Sequence, residues 1–366
     1  MIRVYSLSMA RPPINSVPLD GITLKGAVAA LCEDRGFVSI DLPFAGSGKK
    51  RFTVVASMPK SCFSMAGGFI TIDGHVTIDS PIEALRRFTE GSREIAEDPQ
   101  LPFSGGIIGY IGFEAAKALL GFAPAEGFSR LPQCMLGFYD NFLLFDHIEN
   151  TVRAVSSSEN DISITALSDR ARIASATWQI PSGSRSTNGD FRLLPKDSSF
   201  DRIAKNAFDW LRSEALERFH MVRHAERPAP SMMLRDFICS GSKSSINFSF
   251  THEGAACEFC SSENIAFCGD GTHSIGDIIS RFPAPSATGT PRSAAIACIE
   301  AGERNHRTFY GGGFGTISGK TSSFWTISSS SSFVDGTIRT TAGADILADS
   351  HPAAVKKIMD KKLLGV

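Results

Sequence analysis

Apolar and polar positions alternate in two periods along this chain, and the changes of period mark its elements. Phe69-Ile70-Thr71-Ile72 and His75-Val76-Thr77-Ile78 flank Asp73-Gly74. That pair suits a two-residue type I′ turn, so a hairpin is predicted. Ser80-Pro81-Ile82-Glu83 follows with an N-cap residue, a proline for the first helical position and a capping-box glutamate. The helix it opens should run to about Glu90 with Ile82, Leu85 and Phe88 inward. An earlier helix carries Leu24, Val28 and Leu31 on one face. Further on, Phe200, Ile203, Ala204, Ala207, Phe208, Leu211, Ala215 and Phe219 repeat with helical spacing.

Residues 181–199 are rich in Ser, Gly and Pro and read as a linker between an N-terminal region, 1–180, and a second region, 200–366. From about Cys239 the texture changes to Ser, Cys and clustered glycine. Between Thr321 and Phe333 seven of thirteen residues are Ser, which is too polar for an ordinary buried strand. No solenoid repeat is present. A length of 366 residues suits two domains or one large one, at roughly 150 residues per domain. Mixed α/β is the class.

Composition narrows the functions. Apolar residues make up 42% of the chain, enough for a sizeable core. Lys plus Arg is 37 against 38 Asp plus Glu, so no basic excess marks a nucleic-acid partner. No apolar run approaches the ~18 residues that span a bilayer, so no membrane partner is expected. Met1-Ile2-Arg3-Val4-Tyr5 lacks the pattern of a signal peptide. Eight cysteines spread over a long chain are unlike a disulfide framework, and a cytoplasmic, reduced protein is the expectation.

Three local patterns suggest chemistry. Gly46-Ser47-Gly48-Lys49-Lys50 is similar to the end of a phosphate-binding loop but lacks its first glycine and its closing Ser or Thr, and reads as a turn. His252, Cys257, Cys260, Cys268 and His273 contain one C-x-x-C, yet no second pair at zinc-knuckle spacing. Half-buried residues on a strand are the preferred reading there. Gly311-Gly312-Gly313-Phe314-Gly315 follows no strand-to-helix signature, which leaves a tight turn feeding a strand.

Three stretches together carry a family resemblance. Pro102-Phe103-Ser104-Gly105-Gly106-Ile107-Ile108-Gly109-Tyr110-Ile111-Gly112-Phe113-Glu114 resembles the P-F-x-G-G-x-x-G-Y-x-x-Y-E signature of the chorismate-using synthases, component I of anthranilate synthase and of aminodeoxychorismate synthase. Leu131-Pro132, Phe138-Tyr139-Asp140 and Phe145-Asp146-His147 match the strands that follow it. Near the C-terminus, Ser286-Ala287-Thr288-Gly289-Thr290-Pro291-Arg292 resembles S-x-T-G-A-P-K, Tyr310-Gly311-Gly312 with Gly315 resembles Y-x-G-x-x-G, and Gly343 to Pro352 resembles G-A-G-I-V-A-D-S-D-P. Three of the four tyrosines fall inside these motifs. Arg51-Phe52-Thr53-Val54-Val55-Ala56 is nearer the aminodeoxychorismate branch, and the Leu-Leu-Glu-Ser element of the anthranilate branch is absent around Phe37 to Leu42.

The resemblance implies a two-layered α/β sandwich with a central cleft, here with one sheet incomplete. It implies replacement of the chorismate C4 hydroxyl by ammonia from a glutamine amidotransferase subunit, giving 4-amino-4-deoxychorismate for folate synthesis. Anthranilate synthase component I, or an inactive relative serving as a binding or assembly partner, is the alternative. Cys260-Ser261-Ser262-Glu263 resembles S-P-E, whose glutamate is a general acid, so Glu263 is the candidate catalytic residue. The residues of the substrate site fit a dicarboxylate. Thr290-Pro291 opens a helix whose first-turn amides can hold an anion, and Thr288 adds a hydroxyl. Gly343 and Ala344 can bring backbone amides close, Tyr310 can donate its phenol, and Lys362 adds a charge.

The departures are concentrated at the chemistry. The resemblance implies Mg2+ held by glutamates on two segments. The first segment is missing from the short stretch between Glu263 and Thr288, shortened at about 268–282, and Val355 and Ile358 stand at the second. Aliphatic carbon cannot ligate magnesium, so no metal ligand is assigned and poor Mg2+ binding is expected. Ser328 stands where the family has an arginine. Asp345 replaces the third glycine of G-A-G and puts a negative charge toward an anionic substrate.

Overall fold

Both faces of the main strands carry apolar side chains, and that sets the layering. In the strand Asn141–Asp146, Phe142 and Leu144 enter one core cluster while Leu143 and Phe145 enter another. In Gly106–Ile111, Ile108 and Tyr110 join the first cluster and Ile107 and Ile111 a third. A sheet buried on two faces needs a partner layer on each side. The computed structural model describes residues 14–43, 50–90, 98–122, 130–157, 161–178, 191–239, 246–261, 267–269, 274–303, 307–319 and 321–364.

Among the described residues two antiparallel sheets lie face to face. The larger has twelve strands. In spatial order eleven of them are Asn15–Leu19, Thr151–Ser156, Asn141–Asp146, Lys50–Ala56, Val38–Pro43, Ile246–His252, Ala255–Ser261, Ser329–Val334, Thr337–Ile346, Arg218–Pro228 and Arg192–Leu194. Gly289–Thr290 also pairs with Arg218–Pro228. The eight-stranded sheet runs Phe267–Gly269, Thr321–Thr326, Gly313–Ser318, Gly106–Ile111, Cys134–Tyr139, Ser61–Ala66, Phe69–Ile72, His75–Val76. Phe248, Phe250, Phe259, Phe314 and Trp325 fill the space between the sheets. The helices Leu24–Leu31 and Leu234–Cys239 cover one part of the large sheet, and Asp197–Arg212, Arg292–Gly302 and Pro352–Leu364 another. This is the mixed α/β (α+β) class, and its two layers are the sheets themselves.

The N-terminal and second regions interleave. Ile40 pairs with Phe248 in the large sheet, and Gly109 with Gly315 in the small one. Residues 181–190 of the expected linker lie outside the described residues. Its end is ordered differently: Leu193 and Leu194 pair with Ala225 and His224, and a helix starts at Asp197.

The predicted hairpin forms, with Asp73 and Gly74 at φ 53° and 81°, although its second strand is only His75–Val76. The helix after it is Pro81–Glu90, but Ile82 is exposed and Ala84, Leu85 and Thr89 are buried. At about 100° per residue Ile82 sits a quarter-turn off that stripe. The helix expected to reach Phe219 stops at Arg212, and Glu214 takes φ 59° as the chain reverses. Phe219 therefore belongs to a strand. The serine-rich stretch also differs from expectation, since Thr321–Thr326 and Ser329–Val334 are both strands. Backbone ladders hold the second between Ala255–Ser261 and Thr337–Ile346, and Ser331 Oγ and Thr340 Oγ1 meet across it at 3.3 Å.

Candidate ligand cleft

The strand Arg218–Pro228 organises the candidate site because its alternate residues face different environments. Phe219 and Met221 enter the helix-covered core with Ala344, Ile346 and Met359. His220 and Val222 face the other way, and Val222 packs on Ala287 and Tyr310. Register places Arg218 opposite Thr290, Phe219 opposite Gly289, His220 opposite Asp345 and Val222 opposite Gly343. One strand thus gathers the segments around Thr288, Tyr310 and Gly343.

Over Gly343 a polar chain runs across the strands. His220 Nδ1 lies 2.7 Å from Asp345 Oδ1, and His220 Nε2 lies 2.8 Å from Tyr310 Oη. Arg218 reaches both Asp345 oxygens at 3.4 Å and donates to the Pro285 carbonyl at 2.7 Å. Burial lowers the His220 pKa against the opposing pull of Asp345, and Arg307 and Arg218 push it the same way. Burial raises the Asp345 carboxyl, yet the His220 bond and the Arg218 charge outweigh it and hold it below the usual range. His224, on the same strand face, has its pKa pushed down to about 3 by burial and bonds Thr341 Oγ1 at 2.9 Å. Its ring is neutral.

Arg307 locks these segments together. It donates to the carbonyls of Ala287 at 2.5 Å and His220 at 2.6 Å, pairs with Glu303, and lies over the Phe113 ring. Phe113 belongs to the first motif, so this buried guanidinium ties the N-terminal signature to the candidate site.

The predicted site residues fare differently. Tyr310 and Gly343 come together, while Glu263 lies outside the described residues. Thr288 is fully buried and its hydroxyl donates to the Ala284 carbonyl at 3.1 Å, which spends the expected donor on the chain. The Ala344 side chain turns into the helix-covered core. Lys362 donates to the Gly343 carbonyl at 2.9 Å, just past the last register pair, Ser330 with Thr341, that the strand makes on that side. It caps a backbone acceptor there. Asp345 carries the expected negative charge, but two cationic or donor side chains already engage it.

The implied magnesium does not fit the residues present. Val355 packs in the core with Met359 and Phe219, and Ile358 is exposed on the same helix. Among the described residues no three His, Cys, Asp or Glu side chains are grouped to hold a metal. Ser328 donates through N and Oγ to the Cys260 carbonyl at 3.0 and 3.1 Å. The C-x-x-C lies on a strand, where residues three apart face opposite sides. Cys257 is in the core between the sheets, and Cys260 Sγ meets Asn247 Oδ1 at 3.1 Å on the outer face. They cannot chelate one ion. His273 and residues 46–49 lie outside the described residues.

A cavity of about 980 Å³ opens between Cys32 to Gly36, Pro59 and Thr251 to Gly254, and Thr288, Tyr310, Gly343, Ala344 and Lys362 do not line it. Among the described residues no helix is long and apolar enough to cross a membrane.

Sequence reasoning missed His220, Arg218 and Arg307. The one available signal was His220 and His224 set among Phe219, Met221 and Val222, two polar rings on one face of an apolar strand.

The profile of the family described as chorismate binding enzyme matches residues 270–354. The chain is 30% identical over 140 residues to anthranilate synthase component 1 of Streptomyces coelicolor, covering 36% of this chain and 24% of that one. It is 24% identical over 148 residues to aminodeoxychorismate synthase component 1 of Klebsiella aerogenes, covering 39% and 33%. The chain thus spans about a quarter to a third of the length of the curated relatives it matches. In fold it is similar to anthranilate synthase component I from Streptococcus pneumoniae, with TM-score 0.65 at 15% identity over 88% of this chain and 92% of that one. It is also similar to MenF, the menaquinone-specific isochorismate synthase from Escherichia coli, with TM-score 0.63 at 14% identity over 98% and 95%.

Proposed function

We propose that this chain, a member of the chorismate-utilising enzyme family by its matches, binds a chorismate-like dicarboxylate around Tyr310 but does not perform the magnesium-dependent amination. One observation carries the reading. The strand Arg218–Pro228 holds both the Gly289–Thr290 and the Gly343 segments, while the helix that should supply metal ligands gives Val355 to the core. One ligand carboxylate takes the first-turn amides of Arg292–Gly302, worth at most ~2 kcal/mol. Without the arginine and the metal the other carboxylate lacks a charged partner, so affinity is in the millimolar range, about -4 kcal/mol.

By descent the chain is read as similar to component I of aminodeoxychorismate synthase, on the Arg51 to Ala56 segment. That reading includes chorismate amination at C4 and a glutamine amidotransferase partner. Anthranilate synthase component I is the second reading, since relatives of both names match. The test is chromatographic detection of aminodeoxychorismate and anthranilate after incubation with chorismate, ammonium and Mg2+. Loss of metal and arginine stabilisation costs several kcal/mol of barrier, or orders of magnitude in rate. We expect no product above the uncatalysed level. Either product at an ordinary enzymatic rate, on the order of 1 s⁻¹ or more, would overturn the inactive reading and name the branch.

A further inference from the structure

We propose that the cavity of about 980 Å³ at the end of the hairpin formed by Ile246–His252 and Ala255–Ser261 binds an organic cation, an amine or guanidinium on an apolar stem. Thr288, Tyr310 and Gly343 do not line it, so this inference does not rest on the function proposed above.

The packing leaves room there. Phe248 and Phe250 fill the space between the sheets, and strand alternation puts His252 on their side and Thr251 on the other. The hairpin then turns at Glu253 and Gly254. The wall contributed by the smaller sheet carries Cys62, Ser64 and Thr71. Val76 pairs with Thr71 and shares its face, yet it is 63% exposed, so the larger sheet does not cover this end. A Cβ built on Gly74 or Gly254 would meet nothing within 4 Å.

The lining selects charge. Glu33, Asp34, Asp73 and Glu253 stand against one arginine, Arg35. Arg170 neutralises Asp34 through two bonds of 2.8 Å. Asp73 accepts from Ser61 Oγ and the Cys62 amide, which carry no charge. Among the described residues Glu33 has no ion pair, and Glu253 has only His252 Nε2 at 3.9 Å. Burial outweighs that carboxylate and lowers the His252 pKa, which leaves the ring neutral at neutral pH. Three carboxylates thus face one guanidinium.

Charge alone would describe an ordinary acidic surface. The independent observation is Thr251. It lines the cavity and is 4% exposed, and its hydroxyl has no hydrogen-bond partner among the described residues. Buried polar groups are ordinarily bonded, so this oxygen is an open acceptor for a ligand N–H. Met135, Pro59 and Leu234 offer the stem apolar contact. An anion would meet the carboxylates. A metal ion lacks ligands, since no three His, Cys, Asp or Glu are grouped among the described residues.

Protein labelled with ¹³C-methyl methionine tests this, because Met135 lines the cavity and Met135→Leu identifies its signal. Phenethylamine should shift that signal saturably, with half-saturation at about 1 mM. 2-Phenylethanol, the same shape without the charge, should need about tenfold more, and phenylacetate should give no shift. Glu33→Gln combined with Glu253→Gln should weaken the amine about tenfold, and Arg35→Gln should tighten it. All three side chains are exposed, so these variants keep the fold. Thr251→Val should weaken the amine about threefold, while Thr251→Ser, which keeps the hydroxyl, should not. Equal response to amine and alcohol overturns the proposal, as does no saturable shift at tens of millimolar amine. Unchanged affinity in Thr251→Val also overturns it, because an acidic surface alone would not sense that hydroxyl.

Discussion

Gly109→Val is expected to leave no stably folded protein. Gly109 sits mid-strand in the smaller sheet, paired with Leu136 on one side and Gly315 on the other. A Cβ there would collide with the Met135 carbonyl and stand 2.8 Å from Leu136 Cα and 2.9 Å from Leu136 Cδ2. The first two are backbone atoms inside a hydrogen-bonded ladder, so relief requires the strands to part. Parting them also disturbs Tyr110, which is buried between the sheets and donates to the Pro132 carbonyl at 2.7 Å. Overpacking commonly costs 1–3 kcal/mol where side chains yield, and a backbone collision exceeds that range; about 5 kcal/mol is comparable to a whole domain's margin. Even Gly109→Ala should lower the urea midpoint sharply. Gly276→Ala, on a helix where the nearest atom is the tip of Ser274 at 3.3 Å, is the control and should be neutral or slightly stabilising. Unchanged unfolding in Gly109→Val would mean that these strands are not paired as described.

Val355→Glu, which places there the glutamate that the resemblance implies, should destabilise the chain by on the order of 4 kcal/mol and still bind no magnesium. Val355 is 5% exposed among Phe219, Ile346 and Met359. An unpaired carboxylate there must either stay buried and charged or take up a proton, and both are costly. Burial raises such a carboxyl's pKa above its unfolded value of about 4.3, so the penalty is largest above the raised folded value, shrinks as the pH falls from there towards about 4.3, and levels off below it. Ile358→Glu is the contrast. Its side chain is 51% exposed, and the change should stay within about 0.5 kcal/mol. Urea titration at pH 4 and pH 8 checks both variants. A stable Val355→Glu that takes up Mg2+ stoichiometrically would show that the helix Pro352–Leu364 can face the cleft.

The parts of the fold that were legible in the sequence are those decided locally. The Asp73-Gly74 turn, the helix marked by Leu24, Val28 and Leu31, and the helix behind Thr290-Pro291 all form. What escaped was decided at a distance. Phe219 continues the spacing of the helix before it, but the register with Gly289 and Ile346 holds it in a strand. Ser329 to Ser332 look too polar to be covered, yet Phe259 and Thr341 flank Ser330 in neighbouring strands, and ladder bonds do not depend on the side chain.

The site divides in the same way. The motifs around Thr288, Tyr310 and Gly343 were visible as words, and the fold brings their segments to one strand. Their roles were not visible, because roles depend on where protons and carbonyls point. Thr288 bonds its own turn, Lys362 caps Gly343, and Asp345 bonds the unforeseen His220. No spacing rule connects residues 220, 310 and 345; strand register sets His220 opposite Asp345, and the turn that carries Tyr310 packs on the same strand.

Calorimetric titration of chorismate, with and without Mg2+, tests the central claim most directly. The claim is a ligand cleft retained without its metal chemistry. It predicts saturable binding in the millimolar range whose affinity is unchanged by Mg2+. A tenfold or greater tightening by Mg2+ would contradict it, as would no binding at all at tens of millimolar chorismate.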